Sequence, residues 1–91
     1  MTEIAKRIIF SGQVQGVGFR FTAFHTAVRY SLTGYVRNVR DGTVEMIVQG
    51  SAEDIADCLS EIKETFEGYI TDTAVEDMAL KPGYEDFRIT F

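Results

Sequence analysis

Only one cysteine, Cys58, and one histidine, His25, occur in the chain. A lone thiol excludes an internal disulfide, and no Cys/His cluster has metal-ligand spacing. Folding must then rest on packing, and the expectation is a protein with neither metal nor cofactor. Long apolar runs are missing as well, since none approaches the roughly 18–20 residues that cross a bilayer. The first residues carry Glu3, Lys6 and Arg7 where a signal peptide has its apolar centre. A net charge of −5 argues against general attraction to nucleic acid or to an anionic membrane, both of which favour basic surfaces. Repeats, linkers and low-complexity segments are absent. Together these absences lead us to expect a soluble cytoplasmic protein, monomeric because nothing in the pattern marks an obligate interface. Any anion it binds must be held by local geometry against an unfavourable overall field.

What is present is enough for one core. Hydrophobic residues make up 45% of 91 residues, and a chain of this length forms one domain, here residues 1–91. The most informative stretch is Ser11-Gly12-Gln13-Val14-Gln15-Gly16-Val17-Gly18-Phe19-Arg20. Its three glycines stand between the apolar run Ile8-Ile9-Phe10 and a segment with helical spacing. Such a cluster marks a tight strand-to-helix turn, which aims backbone N–H groups at one point beside the positive end of the helix dipole. Arg20 adds a planar fork of donors suited to phosphate or carboxylate.

Ile8 to Val14 alternates as a strand, with Ile8, Phe10, Gly12 and Val14 on the apolar side. Phe19 to Leu32 has helical period: Phe19, Ala23, Phe24, Ala27, Val28 and Tyr30 face inward, and Thr22, His25, Thr26 and Arg29 outward. Tyr35–Val39 and Thr43–Gln49 flank Arg40-Asp41-Gly42, a hairpin signal, with Glu45 and Gln49 pointing outward on the second strand. Gly50 is expected to break that strand and Ser51 to cap a second helix, whose stripe is Ala52, Ile55, Cys58, Leu59, Ile62 and Phe66. Gly68 supplies its stop. A weaker strand follows within Ile70 to Met78, then a turn at Lys81-Pro82-Gly83-Tyr84 and a last strand with Phe87, Ile89 and Phe91 alternating.

The order βαββαβ plus a short terminal strand is the split βαβ pattern: an α+β, ferredoxin-like fold with two helices on one face of an antiparallel sheet. In the usual strand order 4-1-3-2, strands 1 and 2 run parallel on either side of strand 3. Their C-terminal ends share one rim, about two strand spacings (roughly 9–10 Å) apart. The glycine turn and Asn38 then face each other.

Gly12-x-Val14-Gln15-Gly16-Val17-x-Phe19-Arg20 and Gly34-Tyr35-Val36-Arg37-Asn38-x-x-Asp41-Gly42-x-Val44-Glu45 together resemble the acylphosphatase family. The resemblance covers nearly the whole chain. One position departs, since the family usually has Trp where Tyr35 stands, and a similar packing role is expected of it. The resemblance implies hydrolysis of a carboxyl-phosphate anhydride to a carboxylate and inorganic phosphate, without metal. It also implies that Arg20 and the backbone amides of Gln15, Gly16, Val17, Gly18 and Phe19 bind the phosphoryl group, and that Asn38 positions the attacking water. Small acyl phosphates and phosphate are the implied partners.

Other readings of the same residues are weaker. No Lys-Ser/Thr follows the glycines as in a Walker A loop, and the spacing is not that of a dinucleotide site. RNA-recognition domains share the topology but stack bases on aromatics, and Thr43 to Val48 has none. Metallochaperones of this topology need paired cysteines in the first loop. The serious alternative is a non-catalytic module binding phosphate or carbamoyl phosphate, as in the acylphosphatase-like domains of larger hydrogenase-maturation proteins. His25 reads as a surface residue, Cys58 as a small buried hydrophobe, and Arg37 and Arg40 as solvent-facing hairpin charges.

Overall fold

A computed structural model describes residues 2–91, so Met1, the first residue of the expected domain, lies outside the described residues. Seven elements follow one another: β1 (Glu3–Gly12), α1 (Phe19–Arg29), β2 (Thr33–Asn38), β3 (Val44–Ser51), α2 (Ala52–Thr65), β4 (Ile70–Met78) and β5 (Phe87–Thr90). They form one five-stranded sheet in the order β4-β1-β3-β2-β5. The four strands of the split βαβ pattern pair antiparallel in the expected order, and β4 fills the whole of Ile70–Met78. The sheet is mixed rather than purely antiparallel, because β5 adds to β2 in parallel, Val36 beside Ile89. The fold is a ferredoxin-like α+β sandwich.

The core lies between the sheet and the helices. Ile8 and Phe10 from β1, Val36 from β2, and Val44, Met46 and Val48 from β3 meet Phe19, Ala23 and Ala27 of α1 and Ile55, Cys58 and Ile62 of α2. Phe19 stands at the centre of an aromatic chain, its ring 4.8 Å from Phe10 and 4.7 Å from Phe66 between centroids. Burial on this scale, about 25 cal/mol per Å² of apolar surface, is the main favourable term for a chain without cross-links.

The ends of several elements differ from the sequence expectation. β1 starts at Glu3 and stops at Gly12, so Val14 lies beyond the strand, although its side chain is fully buried. The ladder slips at Ser11/Gly12, and a Cβ on Gly12 would lie 2.2 Å from the Tyr69 carbonyl oxygen. Only glycine lets the chain leave the sheet there. α1 ends at Arg29 instead of Leu32. Ser31 adopts a left-handed φ of 58°, its N–H donates to Val28 O at 3.0 Å, and the Leu32 N–H donates to Ala27 O at 3.0 Å. This is a Schellman stop with serine where glycine is usual, hence its weak signal.

On α1, Thr26 is buried and Val28 half exposed, the reverse of the expected faces. The Thr26 hydroxyl loses nothing by burial, since it donates to Thr22 O at 2.8 Å. Gly50 does not break β3 but pairs with Ile4 inside it, and the Leu32 side chain occupies the space a Cβ would need. Ser51 caps α2 as expected, accepting from the Asp54 N–H at 3.1 Å. Phe91 lies just past β5 and is 98% exposed, so it does not continue the alternation.

The largest departure is on the sheet face away from the helices. Glu45 and Gln49, whose alternation predicts solvent exposure, are only 4% and 6% exposed. β3 is the middle strand, and long side chains from its neighbours close over it. Glu45 accepts from Arg7 Nε at 2.7 Å, Arg37 Nε at 2.7 Å and the Tyr35 hydroxyl at 3.2 Å. Gln49 exchanges two hydrogen bonds with the Lys81 backbone, which lays that segment over the face. Arg37 is thus an internal cross-strand partner, not a free hairpin charge, whereas Arg40 is exposed.

Burial pushes the Glu45 carboxyl up, but the guanidiniums of Arg37 and Arg7 outweigh it and hold it below the usual carboxylate range. A folded-state pKa below the unfolded one stabilises the protein above the unfolded value, about 4.3, and that contribution is lost as pH falls toward the folded value. Glu45→Gln is therefore expected to cost about 1–3 kcal/mol at pH 7, with the gap to the wild type closing below pH ~4. Urea unfolding at several pH values checks both parts.

Candidate active site

Each side of the site is built by a local rule already visible in the chain. After Gly12, the Gln13 N–H donates to Tyr69 O at 2.8 Å, which pins the start of the loop to the segment before β4. Val14 plugs the core beneath it. Gly16 and Gly18 then take φ of 77° and 78°, left-handed values that L side chains adopt only at a cost. Gly18 is the N-cap of α1 and offers no side chain to cap it. The first bond into the helix runs from Thr22 N–H to Gly18 O at 3.1 Å, so the N–H groups of Phe19, Arg20 and Phe21 have no intrahelical acceptor.

The electrostatics of that helix start are unusual. Its first turn carries no acidic residue, and it holds Arg20, whose charge has the same sign as the helix dipole there. Helices ordinarily place carboxylates in this position. Two like-signed features at one point lower their own energy when an anion sits between them.

Arg20 is half-buried and held from the far end of the chain. Its Nη1 donates to the Thr90 carbonyl at 3.3 Å, 70 positions away, and its guanidinium lies 5.3 Å from the centroid of the Phe91 ring. Asn38 is the last residue of β2 and pairs with Val44. The hairpin beyond it is closed by Val39 N–H to Thr43 O at 2.8 Å and Gly42 N–H to Val39 O at 3.1 Å. Asp41 accepts from the Thr43 N–H and hydroxyl at 3.0 and 2.6 Å, and the hydroxyl bond first among these holds its carboxyl below the usual range.

Arg20 and Asn38 meet in one cleft of about 200 Å³, lined also by Val14, Gly16, Gly18, Phe19, Phe21 and Ile89. Of the residues singled out in the sequence, Gly16, Gly18, Phe19, Arg20 and Asn38 border this cleft. Val17 sits on the loop with its side chain partly exposed, and the Gln15 side chain turns away to the hairpin. A larger hollow of about 300 Å³ lies elsewhere, between Tyr35, Tyr84 and Arg88 on the open sheet face, and has no share in this constellation.

Three contributions escaped the sequence reading. Ile89 forms part of the cleft wall, for which its inward position in the last strand was the available signal. The Thr90 carbonyl orients Arg20, and a backbone acceptor leaves no residue-type signal at all. The Gln15 side chain bridges two loops through backbone groups in the same way. His25 is exposed between the rings of Phe21 and Phe24, as a surface residue should be.

Comparison with known proteins bears on the family and the fold. The acylphosphatase family profile matches residues 6–89. An acylphosphatase of Bacillus licheniformis is 40% identical over 86 residues, covering 93% of this chain and 96% of that one. The crystal structure of acylphosphatase from Bacillus subtilis superposes with a TM-score of 0.89 at 32% identity, covering 97% of this chain and 99% of that one. Full-length HypF, in its phosphate- and nucleotide-bound form, matches with a TM-score of 0.86 at 32% identity, over 99% of this chain but only 12% of its own length. By sequence and by fold, the chain belongs to the acylphosphatase family.

Proposed function

We propose that the protein hydrolyses the carboxyl-phosphate bond of acyl phosphates, with Arg20 and the backbone amides of Gln15 to Phe19 binding the phosphoryl group and Asn38 positioning the attacking water. The observation that carries this reading is the shared cleft: Arg20, Gly16 and Gly18 on one side and Asn38 on the other. In the reaction the water oxygen bonds to phosphorus while the bond from phosphorus to the acyl oxygen breaks. The carboxylate departs with the electron pair, and the water proton passes to a phosphoryl oxygen. A carboxylate is a good leaving group, so no general acid is required. What the protein supplies is position and positive charge, the two things phosphoryl transfer asks of it. Arg20 and the helix start provide that charge, and we assign no metal.

A binding module without turnover is the alternative. The likeness to the Bacillus licheniformis and Bacillus subtilis acylphosphatases along almost their whole length weighs against it. We also read the chain as one domain and as a cytoplasmic monomer that acts on a small molecule rather than on nucleic acid or a membrane. The net charge of −5, the buried unpaired Cys58 and the ion pairs across the open sheet face support that reading. Among the described residues no helix is long and apolar enough to cross a membrane.

The test is an assay with benzoyl phosphate in excess EDTA. Hydrolysis that resists the chelator and is competitively inhibited by inorganic phosphate is the expected result. Loss of activity on chelation overturns the metal-free mechanism, and phosphate binding without turnover favours the module.

A further inference from the structure

The Gln15 side chain has two N–H donors, and both are spent on the hairpin opposite. Nε2 donates to Val39 O at 2.8 Å and to Thr43 O at 2.9 Å. These two carbonyls belong to the residues that close the β2–β3 hairpin, where the Val39 N–H also meets Thr43 O. Val39 directly follows Asn38. The orientation of the amide is fixed by chemistry: two carbonyl oxygens can only be faced by the NH₂ end. One side chain from the glycine loop therefore reaches across the rim and grips the backbone next to Asn38.

No other hydrogen bond joins the loop to this hairpin among the described residues. Gly16 and Gly18 have nothing within 4 Å of where a Cβ would be, so no neighbouring segment presses on the loop at these two points. β1 and β2 do not pair with each other, since β3 lies between them. Asn38 is fixed by its pairing with Val44 at the end of β2, so without a strap its distance from the phosphate cradle would depend on the conformation of the glycine loop.

The geometry points to Gln15 as a positioning residue: its side-chain amide sets the separation between the phosphoryl cradle and the Asn38-held water. This rests on the roles proposed above for Arg20 and Asn38. In-line attack needs the water oxygen about 3–3.5 Å from phosphorus, and a misplacement of about 1 Å can cost on the order of 100-fold in rate. The groups proposed to bind the phosphate are Arg20 and backbone amides, and the Gln15 side chain is not one of them. The strap thus acts on the attack and not on binding.

The experiment compares Gln15→Ala, Gln15→Glu and the double variant Gln15→Ala/Asn38→Ala, using benzoyl phosphate as substrate and inorganic phosphate as inhibitor. Gln15→Ala is expected to lower kcat about 10- to 100-fold with the phosphate inhibition constant changed less than about threefold. Gln15→Glu keeps the shape but turns a carboxylate toward two carbonyl oxygens, and should cost at least as much. In the Asn38→Ala background, read on residual turnover at high enzyme concentration, Gln15→Ala should cost almost nothing more, since the group it positions is gone. A purely structural role gives losses that multiply.

Wild-type kcat in both single variants, phosphate affinity falling in step with kcat, or multiplying losses overturn the proposal. A measurement without turnover separates it from the reading it rests on. By NMR, the Gln15 side-chain amide protons should exchange slowly with solvent in the free protein, and rapid exchange overturns the strap. Slow exchange together with no hydrolysis of benzoyl phosphate leaves the strap standing as architecture but overturns both the assigned activity and Gln15's part in it.

Discussion

Arg20→Ala is expected to reduce kcat/KM by about 10³-fold and to raise the inhibition constant for inorganic phosphate by about 100-fold. Both effects have one cause. In the proposed binding mode the guanidinium offers two N–H bonds to the phosphoryl oxygens in a fixed plane, and each charge-assisted bond is worth about 1.5–3 kcal/mol. Its aim is set by the Thr90 carbonyl, 3.3 Å from Nη1. Arg20→Lys restores the charge but not the fork, so it should recover only a small part of the loss. Stability should not fall in parallel. Arg20 stands in the first turn of α1 with no acidic neighbour in that turn, where a positive charge costs about 0.3–1 kcal/mol against the dipole. Loss of the bond to the Thr90 carbonyl works against that relief, so urea unfolding of the alanine variant should show a midpoint close to the wild type or modestly below it. A large drop in the midpoint would attribute the lost activity to misfolding instead.

Asn38→Ala should leave a different signature. Loss of the group that holds the water is expected to lower kcat by about 10²- to 10³-fold, while the phosphate inhibition constant stays within about threefold of the wild type. In the roles proposed above phosphate is held by Arg20 and the loop amides, while Asn38 lines the same cleft from the end of β2. Steady-state kinetics with phosphate as a competitive inhibitor separates the two roles. Equal loss of phosphate affinity in the two variants contradicts the division between binding and attack.

Much of the fold and of the cleft is legible in the sequence. The order of elements alone dictated that β1 and β2 would flank β3 and point their C-terminal ends to one rim, and the cleft shared by Arg20 and Asn38 is the result. The glycine loop was readable because positive φ at Gly16 and Gly18 demands a specific residue type. What could not be read has a common physical origin. The Schellman stop of α1 uses Ser31, a residue whose left-handed conformation is not its preference, so the apolar spacing ran on to Leu32. Glu45 and Gln49 alternate like solvent-facing residues, and only the reach of Arg7, Arg37 and Tyr35 from adjacent strands, with the Lys81 backbone, buries them. Period-two alternation encodes which face a side chain is on, but not what covers that face. Contacts made to backbone carbonyls, such as Gln15 to Val39 and Arg20 to Thr90, carry no partner residue type to search for.

Cys58 lies on the buried stripe of α2 at 1% exposure, and burial pushes its thiol up to about 12. Thiol reagents attack the thiolate, and an exposed cysteine ionises near 8.5, so the folded core withholds both access and charge. Alkylation at neutral pH must then proceed through molecules in which the helix has parted from the sheet. The labelling rate becomes a native-state clock for that parting, readable without denaturant and without added probes. Because Cys58 packs in the same core as Phe19, at the root of the glycine loop, phosphate that tightens the cradle should be heard at Cys58 as a slower tick.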